Sequence, residues 1–368
     1  MTNVMDYLQW RGDLLFTQDP PNVVDSLVFS TISYIRFEGR VKNDPGTPIK
    51  LSDAAQELLA LEYCEKLGRN KNDMDLLRLA ARTARFGDTK LCFYEDRLIP
   101  AQETQFAAIT FLLGDGSACI AFRGTDDTLV GWKEDFNMCF QQTVPAQRMA
   151  LRYVRDVFAE LSCSLHLCGH SKGGNLAVFS AARSSPMVQQ WILNVFNNDG
   201  PGFSDYLMGD PGYLAMVPKI HTFVPQSSII GMIMDHEETY TVVRSAQLGI
   251  LQHDTFSWEV LGNRLVSMEN LTADSRYIQK TLKNWLSGMT REERNQFVDV
   301  LFDLLSTGNV TTASDIFRPR SIHNYIRSIL GKDTDKRKIL LEEFLALLEA
   351  AKQSFDQKEE LLPEGEKN

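Results

Sequence analysis

The sequence predicts an α/β fold, with a mostly parallel sheet covered by helices on both faces. Three observations carry this reading. Between residues 91 and 265 short apolar runs alternate with segments of helical spacing, the pattern of strands buried on two sides. On either side of that stretch the apolar residues recur at three and four, as on a helix face. Within it, Gly169-His170-Ser171-Lys172-Gly173 stands between an apolar run and a helix rich in small residues.

The first 90 residues read as helices and loops. The apolar segment 24–34 predicts a buried helix. Ser52 is a good N-cap for a helix over 52–68, with Ala54, Leu58, Leu61 and Cys64 on one face. A further helix is expected over 74–85, ending before Gly87. From Leu91 the runs 91–94, 106–113 and 118–122 read as strands, and Gly114-Asp115-Gly116 makes a hairpin turn between the last two. A helix over 146–161, a strand over 164–168 and a helix over 174–183 follow, then strands over 191–196, 220–224 and 240–244. After about 273 the pattern is helical again. Thr290-Arg291-Glu292-Glu293 has the form of a capping box, Gly308 suits the end of that helix, and a last helix is expected over 336–357. The organisation is thus a helical segment over 1–90, a sheet core over 91–265, a helical region over 266–358 and a frayed tail over 359–368.

Composition narrows the function. The chain has 368 residues, 43% of them hydrophobic and 23% charged, an ordinary globular balance with ample length for a core. A formal net charge of −10 opposes general binding to a phosphate backbone, so no nucleic-acid partner is expected. No run approaches the ~20 apolar residues that span a bilayer. The start lacks a basic stretch followed by an apolar one, so no signal peptide is expected. The six cysteines form no C-x-x-C pair and no zinc-like spacing with histidine. They read as free thiols in a cytoplasmic protein.

The chemistry sits in the G-x-S-x-G sequence. Alone, that pattern arises by chance in about one chain in ten of this length. Its setting sharpens it, because Leu165-His166-Leu167-Cys168 leads in as a strand and Gly174-Asn175-Leu176-Ala177 leads out as a helix. That is the arrangement a nucleophile elbow requires, with a serine on a strained turn at a helix N-terminus; the plain alternative is a serine in an ordinary βα turn. A second stretch, Phe122-Arg123-Gly124-Thr125, ends a strand where Thr125 and the Lys172 amide together suit an oxyanion. The plain alternative for that stretch is a polar turn with Arg123 paired to a carboxylate.

These residues, with Trp132 and Asp135, resemble the lipase class 3 branch of the α/β-hydrolases. The opening Asp6-Tyr7-Leu8-Gln9-Trp10-Arg11-Gly12-Asp13 and the run Val224-Pro225-Gln226-Ser227-Ser228-Ile229-Ile230-Gly231 are similar to a bacterial subgroup of that branch. The resemblance covers about residues 1–265. It implies an α/β-hydrolase fold and a Ser–His–acid hydrolase of carboxylic esters without a metal or other cofactor. It also implies an oxyanion role for Thr125.

Ser171 as nucleophile needs a base and an orienting acid, in the chain order serine, acid, histidine. His221, His236, His253 and His323 follow the serine. His253, in a loop after the last strand, is favoured. His221 opens an apolar strand and reads as structural, His236 lies in an acidic loop and reads as solvated, and His323 belongs to the helical tail. His170 is the variable position of the elbow. For the acid, Asp199 at a strand end is favoured over Asp235, which follows Ile229-Ile230-Gly231-Met232-Ile233-Met234. The resemblance places the acid after the later strand, where this chain has Ser227 and Ser228 instead.

The expected substrate is a small-molecule ester or lipid. Segments 203–217, 229–234 and 248–251 suit the pocket rim, and 203–217 suits a lid. Two other readings share these residues: a non-catalytic binding module on the same fold, and an acyltransferase or thioesterase using the same triad. The helices beyond 273 suit intramolecular packing or a partner, and oligomeric state is not legible.

Overall fold

The structure, a computed structural model, describes residues 2–306 and 334–360. Its strands in chain order are β1 (Ile49–Lys50), β2 (Lys90–Ile99), β3 (Thr104–Leu112), β4 (Ala118–Phe122), β5 (Leu165–His170), β6 (Ile192–Asn198), β7 (Ile220–Pro225), β8 (Tyr240–Val243), β9 (Val260–Leu261), β10 (Arg264–Leu265) and β11 (Ser267–Met268). Nine of them form one sheet in the order β1-β2-β3-β4-β5-β6-β7-β8-β11, and β9 pairs with β10 apart from it. Strands β4 to β8 run parallel. The expected mostly parallel sheet is therefore mixed, because β2, β3 and β4 follow one another as antiparallel neighbours, β1 pairs antiparallel with β2, and β11 returns antiparallel on β8. Gly114-Asp115-Gly116 does turn β3 into β4, with the Asp115 carboxylate accepting the Ser117 amide at 2.9 Å.

Side-chain alternation along the strands divides the core in two. Cys119 and Ala121 of β4 join a cluster with Val24, Leu27 and Val28, whereas Ala118, Ile120 and Phe122 join one with Val154, Leu176 and Val178. The first face carries α1 (Val4–Arg11), α2 (Val23–Ile32), α3 (Leu51–Leu59), α4 (Lys71–Ala80) and α5 (Ala84–Gly87). The second carries α7 (Pro145–Leu161), α8 (Lys172–Arg183) and α10 (Pro211–Met216), with α9 (Pro186–Trp191) beside them. Helix α6 (Leu129–Met138) lies between β4 and α7 in the chain.

Two helix boundaries differ from expectation. The helix expected over 52–68 ends at Leu59, and Ser52 does not cap it. The chain instead closes a 3₁₀ turn at Cys64–Lys66, and the Leu67 carbonyl accepts the Arg36 amide at 2.9 Å. The helix expected over 74–85 starts earlier, under Asn70, and breaks after Ala80. Thr83 then caps the short α5, which turns Arg85 into the core.

The C-terminal region holds α11 (Ala273–Ser287), α12 (Arg291–Leu305) and a final helix, Thr334–Glu360. The capping box at Thr290 and Glu293 is formed. Val298 and Phe302 of α12 pack on Leu129 and Phe140, and the Phe302 ring lies 5.6 Å from that of Phe136. Gly308, His323 and the tail beyond 360 lie outside the described residues. No helix among the described residues is long and apolar enough to cross a membrane.

The N-terminal helices are fastened by a buried ion pair. Arg85 holds Asp25 through contacts of 2.5 and 2.8 Å, and the Tyr7 hydroxyl donates to the same carboxylate at 2.8 Å. Arg85 also donates to the carbonyls of Leu14, Asp19 and Pro20. Removing one member of such a pair strands the other charge in the core, at a cost of about 3–5 kcal/mol. Arg85→Leu is expected to lose that much in urea unfolding, and Asp25→Asn/Arg85→Leu to recover part of it. Equal losses in the single and double variants would contradict the assignment.

Candidate active site

The site forms where β5 meets α8. Ser171 stands at the joint with φ 58 and ψ −133, a backbone conformation few side chains accept. The turn is possible because its neighbours lack Cβ atoms. A Cβ on Gly169 would meet Gly173 at 2.1 Å, and one on Gly173 would meet the Phe122 carbonyl at 2.1 Å. The Ser171 amide is held by the Asn198 carbonyl at 3.0 Å, which fixes the turn against β6.

Asp199 follows β6 and also has a left-handed backbone, with φ 55. Its amide donates to the Phe223 carbonyl of β7 at 2.8 Å. The carboxylate is buried. One oxygen accepts the Ser228 hydroxyl at 2.5 Å and the Gly231 amide at 3.1 Å. The other lies 2.6 Å from His253 Nδ1. Gly231 has to be glycine, since a Cβ there would meet that carboxylate at 2.3 Å. Ser228 thus stands where the resemblance places an acid and donates a hydrogen bond to the acid of the preceding strand.

His253 ends a 3₁₀ turn, Gly249–His253, after β8. Its neighbour Asp254 caps the next turn by accepting the Phe256 amide at 3.1 Å. Ser171 and His253 line one cavity of about 780 Å³. No hydrogen bond joins their side chains among the described residues.

Thr125 and Lys172 line the same cavity. The Lys172 amide is at the first helical position of α8, where a helix leaves its N–H groups unpaired. Its side chain is buried. Nζ donates to the Gln105 carbonyl at 2.9 Å, the Gln105 side chain at 2.8 Å and Glu134 at 3.1 Å. Asp135 lies 3.6 Å from the same Nζ and accepts the Thr125 hydroxyl. Burial pushes the Asp135 carboxyl up to about 6. Arg123 pairs with Asp96 through contacts of 2.6 and 2.7 Å.

Asp235, the other acid considered, is not brought to His253. It pairs with Lys283 at 2.9 Å, with its side chain 43% exposed. The segment before it is no strand but a loop with a 3₁₀ turn at Ile230–Met232. His236 is buried rather than solvated. It donates to the Gly231 carbonyl at 2.8 Å and lies 3.3 Å from Glu238, whose charge a sequence reading takes for a solvated loop. His221 and His166 sit on β7 and β5 with Asn194 between them. Segment 203–217 forms no lid, because Phe203, Leu207, Tyr213 and Met216 are buried in the core. The apolar cavity wall comes from Trp132, Phe136, Ile230, Ile233, Met234 and Ile250. The N-terminal residues Tyr34, Arg36 and Arg69 also line the cavity, which no local sequence pattern announces. Cys119 and Cys168 are buried free thiols with sulfurs 3.7 Å apart. No cluster of metal-ligating side chains occurs among the described residues.

The loop that feeds Gly231 to Asp199 depends on the His236–Glu238 pair. Burial alone would raise the Glu238 carboxyl, but His236, Thr222 and Tyr213 bring it down to about 2. Burial pulls His236 down, and Glu238 more than offsets this, so its pKa is raised. The pair therefore stabilises fully between the ordinary values of 4.5 and 6.5. That stability fades as pH falls toward the depressed Glu238 value and as it rises through the elevated His236 value. Glu238→Gln is expected to cost about 3–5 kcal/mol inside that window and less on both sides. Melting curves against pH check this, and a pH-independent deficit would contradict it.

Comparison with known proteins places this site in a family. No curated protein matches the chain. The profile of the Mbeg1-like family matches residues 80–303, well over half the chain, and spans Thr125, Ser171, Asp199 and His253. The chain belongs to the Mbeg1-like family.

Proposed function

We propose that this protein is a serine hydrolase of carboxylic esters, built on an α/β-hydrolase fold of the lipase class 3 type. The observation that carries the reading is the His253 Nδ1 contact to buried Asp199 at 2.6 Å, with His253 and the strained Ser171 lining one cavity. The carboxylate fixes the ring so that Nδ1 bears a proton and Nε2 is the free base.

In the proposed reaction His253 Nε2 takes the Ser171 hydroxyl proton as Oγ attacks the ester carbonyl. The carbonyl oxygen becomes an oxyanion facing the amides of Lys172 and Thr125. Asp135 accepts a hydrogen bond from the Thr125 hydroxyl and so fixes that residue beside the nucleophile. Collapse of the intermediate breaks the ester bond, and the leaving alcohol takes the proton from His253. Water, deprotonated by His253, then hydrolyses the acyl-enzyme and restores Ser171. The apolar wall of Trp132, Phe136, Ile230, Ile233, Met234 and Ile250 favours an acyl chain as the substrate's apolar part.

Purified wild type and variants assayed on p-nitrophenyl acetate and octanoate test this. Ser171→Ala and His253→Ala are expected to lower kcat by about 10⁴–10⁶, and Asp199→Asn by about 10⁴. Asp235→Asn is expected to change it less than about twofold. Equal turnover by wild type and Ser171→Ala would refute the mechanism.

A further inference from the structure

We propose that His170 and Tyr34 are positioning residues that hold the main chain of His253. This deepens the hydrolase reading and rests on it for its functional meaning.

His170 ends β5 and directly precedes Ser171. Its ring is buried and lies 4.4 Å from the His253 ring. His170 Nε2 is 2.7 Å from the His253 carbonyl oxygen. A carbonyl only accepts, so Nε2 carries the hydrogen. Burial, with His253 beside it, keeps the ring neutral by pulling its pKa well below the ordinary value. The neutral ring leaves Nδ1 as an acceptor, and the Tyr34 hydroxyl lies 3.0 Å from it. The tautomer is thereby fixed at both nitrogens.

Tyr34 is itself held. The Arg69 guanidinium lies 3.8 Å over its ring, and Arg69 is bound to Asp73 at 2.8 and 3.0 Å. Gly124 packs on the same pair, since a Cβ there would meet the Tyr34 hydroxyl at 2.1 Å and the His170 carbonyl at 2.5 Å. One contact set thus joins the oxyanion strand end, the elbow and the histidine turn.

The histidine turn needs such a hold. Leu248, Ile250 and Leu251 are 82%, 52% and 62% exposed, so burial of these side chains does little to fix it. Its other ties are the His253 side-chain contact to Asp199 and those through Gln252, to Ser227, Gln247 and Trp258. The His170 bond is the one made to His253's own carbonyl among the described residues. Displacing a reacting group by about 1 Å costs about 10²-fold in rate.

The test uses full-length protein labelled with ¹⁵N-histidine and follows the low-field proton resonance of His253 Nδ1–H, assigned by its loss in His253→Ala. That readout needs no turnover. Wild type is expected to show the resonance. His170→Phe is expected to shift or broaden it and to lower kcat about 10- to 100-fold with KM nearly unchanged. His170→Gln keeps an N–H donor and is expected to restore both in part. Tyr34→Phe removes one hydroxyl and is expected to perturb the resonance even if His170→Phe fails to fold. A wild type without the resonance overturns the proposal, as do His170→Phe or Tyr34→Phe proteins that keep it unshifted. The expected resonance changes in proteins that show no turnover would support the positioning role while refuting the hydrolase reading.

Discussion

The geometry at Ser171 is the constraint on which the rest of the site depends. Its backbone conformation costs about 1–3 kcal/mol and persists only where surrounding structure over-determines it. Here β5, β6 and α8 meet with no Cβ at Gly169 or Gly173, and the Asn198 carbonyl holds the Ser171 amide. Asp199, at the end of the neighbouring parallel strand, also has a left-handed backbone. Two strained residues at the carboxyl ends of adjacent parallel strands, β5 and β6, place a hydroxyl and a carboxylate side by side on that edge of the mixed sheet. The carboxyl ends of parallel strands are where open α/β sheets bind ligands.

Buried charge fixes the elements around this edge. Lys172 reaches from the first turn of α8 to Gln105 on β3 and Glu134 on α6, and so binds the elbow to the segment that carries Thr125 and Asp135. Arg123 does the same between β4 and Asp96 on β2. Pairs of this kind add little net stability over apolar packing, but breaking one is costly. Their value here is geometric, because each ties a cavity-lining segment to a strand.

The sequence made legible what is local or periodic. The strand–turn–helix around G-x-S-x-G, the hairpin at Gly114-Asp115-Gly116 and the succession of strands from Leu91 are short-range signals, and the structure has each of them. Contacts made through space were not legible. His170 reads as a variable elbow position until the fold lays its ring against His253, and Tyr34 and Arg69 reach the cavity from a segment more than a hundred residues upstream. Acidic neighbours made His236 look solvated, whereas Glu238 is its buried partner. Apolar composition alone does not separate a lid from a core, so 203–217 reads as either. The acid was ambiguous in sequence because Ser228 interrupts the pattern of the resemblance. In the fold that serine donates to Asp199.

The central claim is that Ser171 is an activated nucleophile served by His253 and Asp199. The most direct measurement is intact-protein and peptide mass spectrometry after treatment with a fluorophosphonate probe at neutral pH. The account requires one adduct per chain, on Ser171, forming in the native protein and absent when His253 is replaced by alanine. No adduct, or an adduct on another residue formed as fast without His253, would contradict it.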